Sequence, residues 1–116
     1  MGLARELRNR RSVTARKILV KGWADESGEP FAMFAKPITC YDINELQKKH
    51  STILEAPTVA AMVDMIVLKA EDEAGDKLFT SAEDRIDLMG EQTDVISDIA
   101  NQMFASIVDA ETAEKN

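Results

Sequence analysis

The first third of the chain contains two short apolar runs separated by a polar turn. The first run is KILVKGW, residues 17–23, and the second is FAMFAKPI, residues 31–38. The segment between them, ADESGEP, is rich in residues that favour turns. The pattern predicts a β-hairpin with a loop longer than two residues, in which Ile18 and Val20 share one face. Pro37 lacks an N–H group, so we expect it to end the second strand or to face an open edge.

The middle of the chain shows the three- and four-residue spacing of helices. Thr39 and Asp42 form a capping-box-like start and predict a helix from about Cys40 to His50. Pro57 is predicted to be the first residue of the next helix, because proline is favoured there. Apolar residues then recur on one face, which predicts a broad buried stripe. The stripe comprises Val59, Met62, Val63, Ile66, Val67 and Ala70.

Two more helices are predicted in the last third. Acidic residues around Gly75 indicate the end of a helix and an exposed turn. Thr80 and Glu83 fit a capping box for a short helix that ends near Gly90. A last helix is predicted to start near Thr93 or Asp94, and its apolar face is wide enough for central burial or for contact with another protein. That face comprises Val95, Ile96, Ile99, Met103, Phe104, Ile107 and Val108.

These elements define the expected fold class. The chain has 116 residues, enough for one compact domain. We predict an α+β fold that is mainly α, with an N-terminal β-hairpin followed by about four helices in one small domain. The domain is expected to span residues 17–108, between a basic, mobile arm at 1–16 and a frayed polar tail at 109–116.

Charge is divided unevenly along the chain. The formal net charge is -7, yet residues 1–21 hold seven Lys/Arg against one acid, a local charge of +6. The remainder holds seven Lys/Arg against twenty Asp/Glu, a charge of -13. Such a basic arm on an acidic body could bind an acidic partner, nucleic acid, or an acidic patch on another copy of the chain. The arm has no aromatic residue to stack on bases, which disfavours nucleic acid.

Several classes of protein are excluded by pattern. The longest apolar run, Val59 to Leu68, is broken by Asp64 and is too short to span a membrane. The basic N-terminus is followed by no apolar stretch typical of a secretory signal. One cysteine, Cys40, cannot form an internal disulfide, so a reducing cytoplasm is expected.

No set of catalytic residues is evident, so we expect no enzyme. The only histidine, His50, is followed by Ser51, but neighbours on a helix point in different directions and form no dyad. We interpret His50 as a helix-end residue that interacts with the helix dipole, and Cys40 as a small buried residue near a cap. The acids Glu71 to Asp76 miss the calcium-loop spacing, and no phosphate- or dinucleotide-binding motif is present. No metal or cofactor is therefore predicted.

The order of several phrases resembles a known family. These phrases are KILVKGWADESGEPFAMFAKPIT, YDINELQKKH, PTVAAMVDMIVLKAEDEAGDKLFT, DRIDLMGE and VISDIANQMF. In this order the chain is similar to the tail assembly chaperones of long-tailed, non-contractile bacteriophages and prophages, over roughly Ala15 to Phe104. The resemblance implies a protein of the host cell cytoplasm that binds and solubilises the tape measure protein, helps recruit tail tube subunits, and leaves before the tail is complete.

The family has no active-site residues to transfer, so contact residues are inferred from surface chemistry. Methionine-rich faces adapt to irregular apolar partners, and the basic arm could contact acidic ones. Weak contacts multiplied by copy number would allow release, so self-association is expected. The candidate contact residues are Met62, Met65, Met89, Met103, Phe104, Ile107, Arg8, Arg10 and Arg11. Two alternatives stay open: a structural virion component such as a minor tail or connector protein, and a small nucleic-acid-associated regulator.

Overall fold

The computed structural model describes residues 2–10 and 14–115, and for 106–115 it describes the backbone alone. A short helix, α1 (Leu3–Asn9), precedes a hairpin of β1 (Arg16–Val20) and β2 (Phe31–Ala35). Four helices follow: α2 (Cys40–Lys49), α3 (Val59–Lys69), α4 (Ala82–Met89) and α5 (Thr93–Lys115). The predicted α+β, mainly α fold is confirmed, and α1 lies inside the predicted arm.

The hairpin is shorter than the two apolar runs. Its antiparallel register pairs Ile18 with Met33 and Val20 with Phe31, and Ile18, Val20 and Met33 are buried on one face as their alternation predicts. Lys21–Trp23 forms a 3₁₀ turn instead of continuing the strand. The turn brings Gly22 against Val95 of α5.

Each outer edge of the hairpin has one hydrogen-bonded contact with another part of the fold. The backbone N–H and C=O of Phe34 pair with those of Glu71 at 2.8 Å each, just after α3 ends. On the other edge the side-chain amide of Gln102 donates to the Leu19 carbonyl at 2.9 Å and accepts from the Leu19 N–H at 3.3 Å. Each outer edge is thus paired at one residue, which leaves less of it free to pair with another strand.

The core lies between the hairpin and the four later helices. α3 packs against α2, α4 and α5, and α5 also packs against β1. The buried cluster comprises Ile18, Val20, Met33, Ala35, Leu46, Ile53, Ala61, Val63, Met65, Ile66, Ala70, Leu88, Ile96, Ile99 and Met103.

The prediction of which α3 residues are buried is wrong in part. Val59 is 39% exposed, whereas Ala61 and Met65, outside the predicted stripe, are fully buried. The reason is that three helices contact α3 from different sides, so burial extends beyond a single face.

Local capping sets the helix starts. The box of Thr39 and Asp42 is confirmed: the Thr39 hydroxyl accepts from the Asp42 N–H at 3.1 Å, and the Asp42 carboxylate accepts from the Thr39 N–H at 2.9 Å. The second box uses Ser81 and Asp84, not Thr80 and Glu83, because the Asp84 carboxylate reaches the N–H groups of both Thr80 and Ser81.

Two other boundaries differ from prediction. Pro57 is not the first residue of α3: Thr58 caps the helix by accepting from the Ala61 N–H at 3.1 Å, and the helix begins at Val59. Proline has no side-chain oxygen with which to cap, so the neighbouring threonine takes that position. At the other end of the chain, α5 continues through Lys115, over most of the expected polar tail.

Gly22→Ala is predicted to destabilise the fold, because an added Cβ would lie 2.6 Å from Cγ2 of Val95. Overpacking of this kind costs about 1–3 kcal/mol, measurable as a lower midpoint in urea denaturation. Gly2→Ala is the control, since a Cβ there meets nothing within 4 Å. If the clash is the cause, Gly22→Ala should cost less stability in a Val95→Ala background than in the wild-type background. An equal loss of stability in the two backgrounds would contradict the clash.

Candidate partner-binding site

A groove lined mainly by apolar side chains runs along α2. Its volume is about 670 Å³. Tyr41 is 82% exposed and Leu54 is 59% exposed, which is unusual for large apolar side chains so close to each other. We call this surface the α2 groove, and its main lining residues are Ile38, Tyr41, Ile43, Asn44, Gln47 and Leu54.

The N-terminal end of the α2 groove is fixed to α3. Nζ of Lys69 donates to the Asp42 carboxylate at 2.8 Å and to the Pro37 carbonyl at 3.3 Å. Burial opposes ionisation of Asp42, but the hydrogen bonds from Lys69 and Thr39 outweigh it and lower the pKa of Asp42 below its ordinary value. These contacts hold the chain that enters α2 and keep Ile38 at the groove.

The C-terminal end of α2 is fixed by a carboxylate on α3. Nε2 of His50, the residue that ends α2, lies 2.6 Å from Oδ2 of Asp64. Arg85 of α4 donates from Nε to Oδ1 of Asp64 at 2.5 Å and from Nη2 to Oδ2 at 3.3 Å. Burial raises the pKa of Asp64, but the hydrogen bonds from Arg85 and His50 outweigh this effect and lower it overall. One carboxylate thus joins α2, α3 and α4.

The loop after α2 presents Leu54 to solvent. Ile53 is 1% exposed and anchors the loop in the core. Thr52 closes the turn, because its carbonyl accepts from the Ala56 N–H at 2.7 Å and its hydroxyl donates to the Ala56 carbonyl at 3.1 Å. With its neighbour buried and the turn closed, Leu54 stays at the rim of the α2 groove.

The exposure of Cys40 and the contact of His50 with Asp64 differ from the sequence predictions. Cys40 is exposed at the start of α2 and also borders the groove, so the expectation that it is buried is wrong. Cys40 is the first residue of α2, and none of the described elements covers its side chain. His50 does end its helix as predicted, but its ring is bonded to Asp64. Ten residues of helix separate Cys40 from His50, about 15 Å, so they form no pair.

The predicted contact methionines divide between core and surface. Met65 is fully buried and Met103 is 4% exposed, so neither is available to a partner in this fold. Met62 and Phe104 are half-buried and pack against the core. Met89 is 43% exposed at the end of α4. None of these residues lines the α2 groove.

The predicted basic contacts lie at the N-terminus. Arg8 is exposed in the last turn of α1, and Arg10 is exposed at its C-cap. Arg11 lies outside the described residues, as does the side chain of Ile107. The arginines and the α2 groove are therefore separate candidate surfaces.

Sequence reasoning missed the α2 groove for a physical reason. Its apolar residues come from a strand exit, a helix and a loop, so they share no period. Tyr41, an aromatic residue among polar helical neighbours, is the one local signal that could have indicated an exposed apolar site.

The acidic turn after α3 is built by backbone geometry. Gly75 has a φ of 93°, which favours glycine, and the Asp72 carboxylate accepts from the Asp76 N–H at 2.9 Å. Glu71 is only 9% exposed, and its carboxylate lies 3.8 Å from Nζ of Lys36. Within the described side chains, no group of three or more His, Cys, Asp or Glu residues could hold a metal ion. The described helices also include none that is both long and apolar enough to cross a membrane.

Comparison with known proteins adds no assignment. No family model, curated protein or solved structure matches the chain. The resemblance to tail assembly chaperones therefore stays a prediction from the sequence phrases. Any function of the chain has to be inferred from those phrases and from the surfaces described above.

Asp64→Asn is predicted to destabilise the protein by about 2–3 kcal/mol near neutral pH, because Arg85 and His50 lose their charged partner. Folding lowers the pKa of Asp64. Its ionised carboxylate therefore stabilises the fold at pH values above the pKa of an unfolded aspartate, about 3.9. This stabilisation is lost as the pH falls through the lower pKa of the folded state. The difference from wild type should therefore shrink below about pH 4. Urea denaturation of wild type and variant at pH 7 and at pH 3 measures the loss of stability at each pH.

The exposed Asp76 provides the matched control for this prediction. The Asp76 carboxylate makes no hydrogen bond or ion pair with a described residue. The Asp76→Asn variant should therefore be as stable as wild type at both pH values. A loss for Asp64→Asn that is as large at pH 3 as at pH 7 would contradict an ionised Asp64 as its source.

Proposed function

We propose that the chain is a tail assembly chaperone of a long-tailed, non-contractile bacteriophage or prophage. It acts in the host cell cytoplasm without chemistry, binds and solubilises the tape measure protein, and helps recruit tail tube subunits. The quoted phrases support the family, and the exposed α2 groove is the observation that carries the binding function.

The shape and composition of the α2 groove suit an amphipathic helix. A helix presents apolar side chains at three- and four-residue steps, and Ile38, Ile43 and Leu54 offer an apolar floor and rim for them. Asn44 and Gln47 line the same groove and can hydrogen-bond the polar flank of the bound helix. The tape measure protein, a long and largely helical chain in the resembled family, would present such stripes before assembly.

A shallow binding site also suits a chaperone that must dissociate from its partner during assembly. Each α2 groove is open to solvent and buries only a few side chains, so a single contact would be weak. Many copies along one long partner would still bind it strongly, because neighbouring contacts raise the effective concentration at each site and so the overall avidity. Displacement by tail tube subunits could then proceed one copy at a time.

Leu54→Glu is predicted to abolish solubilisation of the tape measure protein on co-expression. Leu54 is 59% exposed, so the variant should fold normally while placing a charge in the α2 groove. Ile86→Glu is the matched control, because Ile86 is 67% exposed on α4, away from the groove. Wild type and Ile86→Glu should yield a soluble complex, and the amount of soluble tape measure protein measures the difference.

The single cysteine gives an independent readout in the same complex. Cys40 is exposed and borders the α2 groove, so the bound tape measure protein should slow its reaction with a maleimide. Unchanged Cys40 reactivity in a soluble complex would contradict the groove as the binding site. Failure of the wild-type chain to solubilise the partner would contradict the function itself, and recovery of the chain in mature particles would favour a structural virion component.

A further inference from the structure

A second surface, separate from the α2 groove, is built from aromatic rings. Trp23 follows β1, Phe31 begins β2, and Phe79 follows the acidic turn. The Trp23 ring lies edge-on to Phe31 with centroids 6.0 Å apart and to Phe79 with centroids 6.3 Å apart. Together with Leu88 these rings line a pocket of about 400 Å³, which we call the aromatic pocket.

The mouth of the aromatic pocket is acidic. Asp84, Asp87 and Glu91 line it, and no lysine or arginine does. None of the three forms an ion pair with a described side chain. The Trp23 indole donates to the Glu91 carboxylate at 2.8 Å, and this bond, with that from the Gln92 N–H, lowers the pKa of Glu91.

Aromatic rings beside ionised carboxylates form a suitable site for a cationic side chain. A guanidinium can stack on an aromatic face while its N–H groups donate to a carboxylate. The exposed part of Phe31, 40% of its surface, adds an apolar area that a neighbouring aliphatic side chain could cover. The pocket therefore fits a segment that carries both arginine and leucine.

The N-terminal helix α1 has this composition and is itself uncovered. Leu3 is 65% exposed and Leu7 is 47% exposed, and their four-residue spacing places them on one face. Arg8 and Arg10 are exposed nearby and form no ion pair with a described side chain. No residue of α1 is buried. The helix thus exposes apolar and basic groups that complement the aromatic pocket in both respects.

We propose that α1 of one copy docks in the aromatic pocket of a second copy, with its leucines against Phe31 and Phe79 and its arginines against Asp87 and Glu91. This contact is independent of the function proposed for the α2 groove. No residue lines both surfaces, so a copy could bind its partner and a neighbouring copy together.

No residue of α1 lines the aromatic pocket, so the chain's own α1 leaves the pocket open to a second copy. The hairpin register places Arg16 opposite Ala35 at one end and Val20 opposite Phe31 at the other. α1 leads into the Arg16 end, whereas the pocket lies at the Phe31 end. Each copy then offers one donor helix and one acceptor pocket, a heterologous contact that builds rings or open chains of copies.

Charge reversal in the full-length chain tests the contact. The donor variant is Arg8→Glu with Arg10→Glu, and the acceptor variant is Asp87→Lys. Asp87 is exposed near the C-terminus of α4, where a lysine suits the helix dipole, so the acceptor variant should fold. In sedimentation velocity at low salt, wild type should form oligomers as concentration rises, while each variant alone stays monomeric. An equimolar mixture of the two should recover at least a dimer, because the unchanged α1 of the acceptor variant meets the unchanged aromatic pocket of the donor variant.

Glu55→Lys is the matched control, because it makes the same charge change at an exposed residue outside the aromatic pocket. It should associate as wild type does. Trp23 is the only tryptophan, so its fluorescence emission should shift over the same concentration range as the mass. A monomeric wild type, a monomeric mixture, dissociation of Glu55→Lys equal to that of Asp87→Lys, or association without a Trp23 shift would each overturn the proposal.

Discussion

The carboxylate of Asp64 is the contact on which the arrangement of the helices depends. It interrupts the most apolar helix of the chain, between the buried Val63 and Met65, where an unpaired charge would be costly. His50 and Arg85 satisfy it from the end of α2 and from α4. Because both partners come from outside α3, the carboxylate specifies how these helices are placed as well as how stable they are. Apolar packing alone would tolerate several such placements.

The two exposed surfaces follow from this placement. α2, held at one end by His50 and at the other by Lys69 on Asp42, carries the α2 groove. α4, held by Arg85, carries the acidic mouth of the aromatic pocket. The hairpin that supplies two of the pocket's rings is joined to the end of α3 by the backbone pairing of Phe34 with Glu71. The small core therefore presents two separate exposed surfaces, the α2 groove and the aromatic pocket.

Local spacing predicted much of the fold, and long-range contacts account for most of what it missed. Thr39 and Asp42 are three residues apart, so their capping box is readable from the sequence, and alternation placed Ile18 and Val20 on the buried face. Asp64 could be read only as a break in an apolar run, since its partners lie 14 and 21 residues away. Periodicity also could not show that Met65 is buried, because that depends on how many helices surround α3.

Hydrogen exchange on the chain bound to the tape measure protein tests most directly the claim that the chain binds through two separate surfaces. Partner binding is expected to slow exchange of backbone amides over residues 38–56, around the α2 groove. Residues 79–91, around the aromatic pocket, should change only when the concentration of the chain is raised. Protection by the partner centred on the aromatic pocket or on α5, with residues 38–56 unchanged, would rule out the α2 groove as the partner-binding surface.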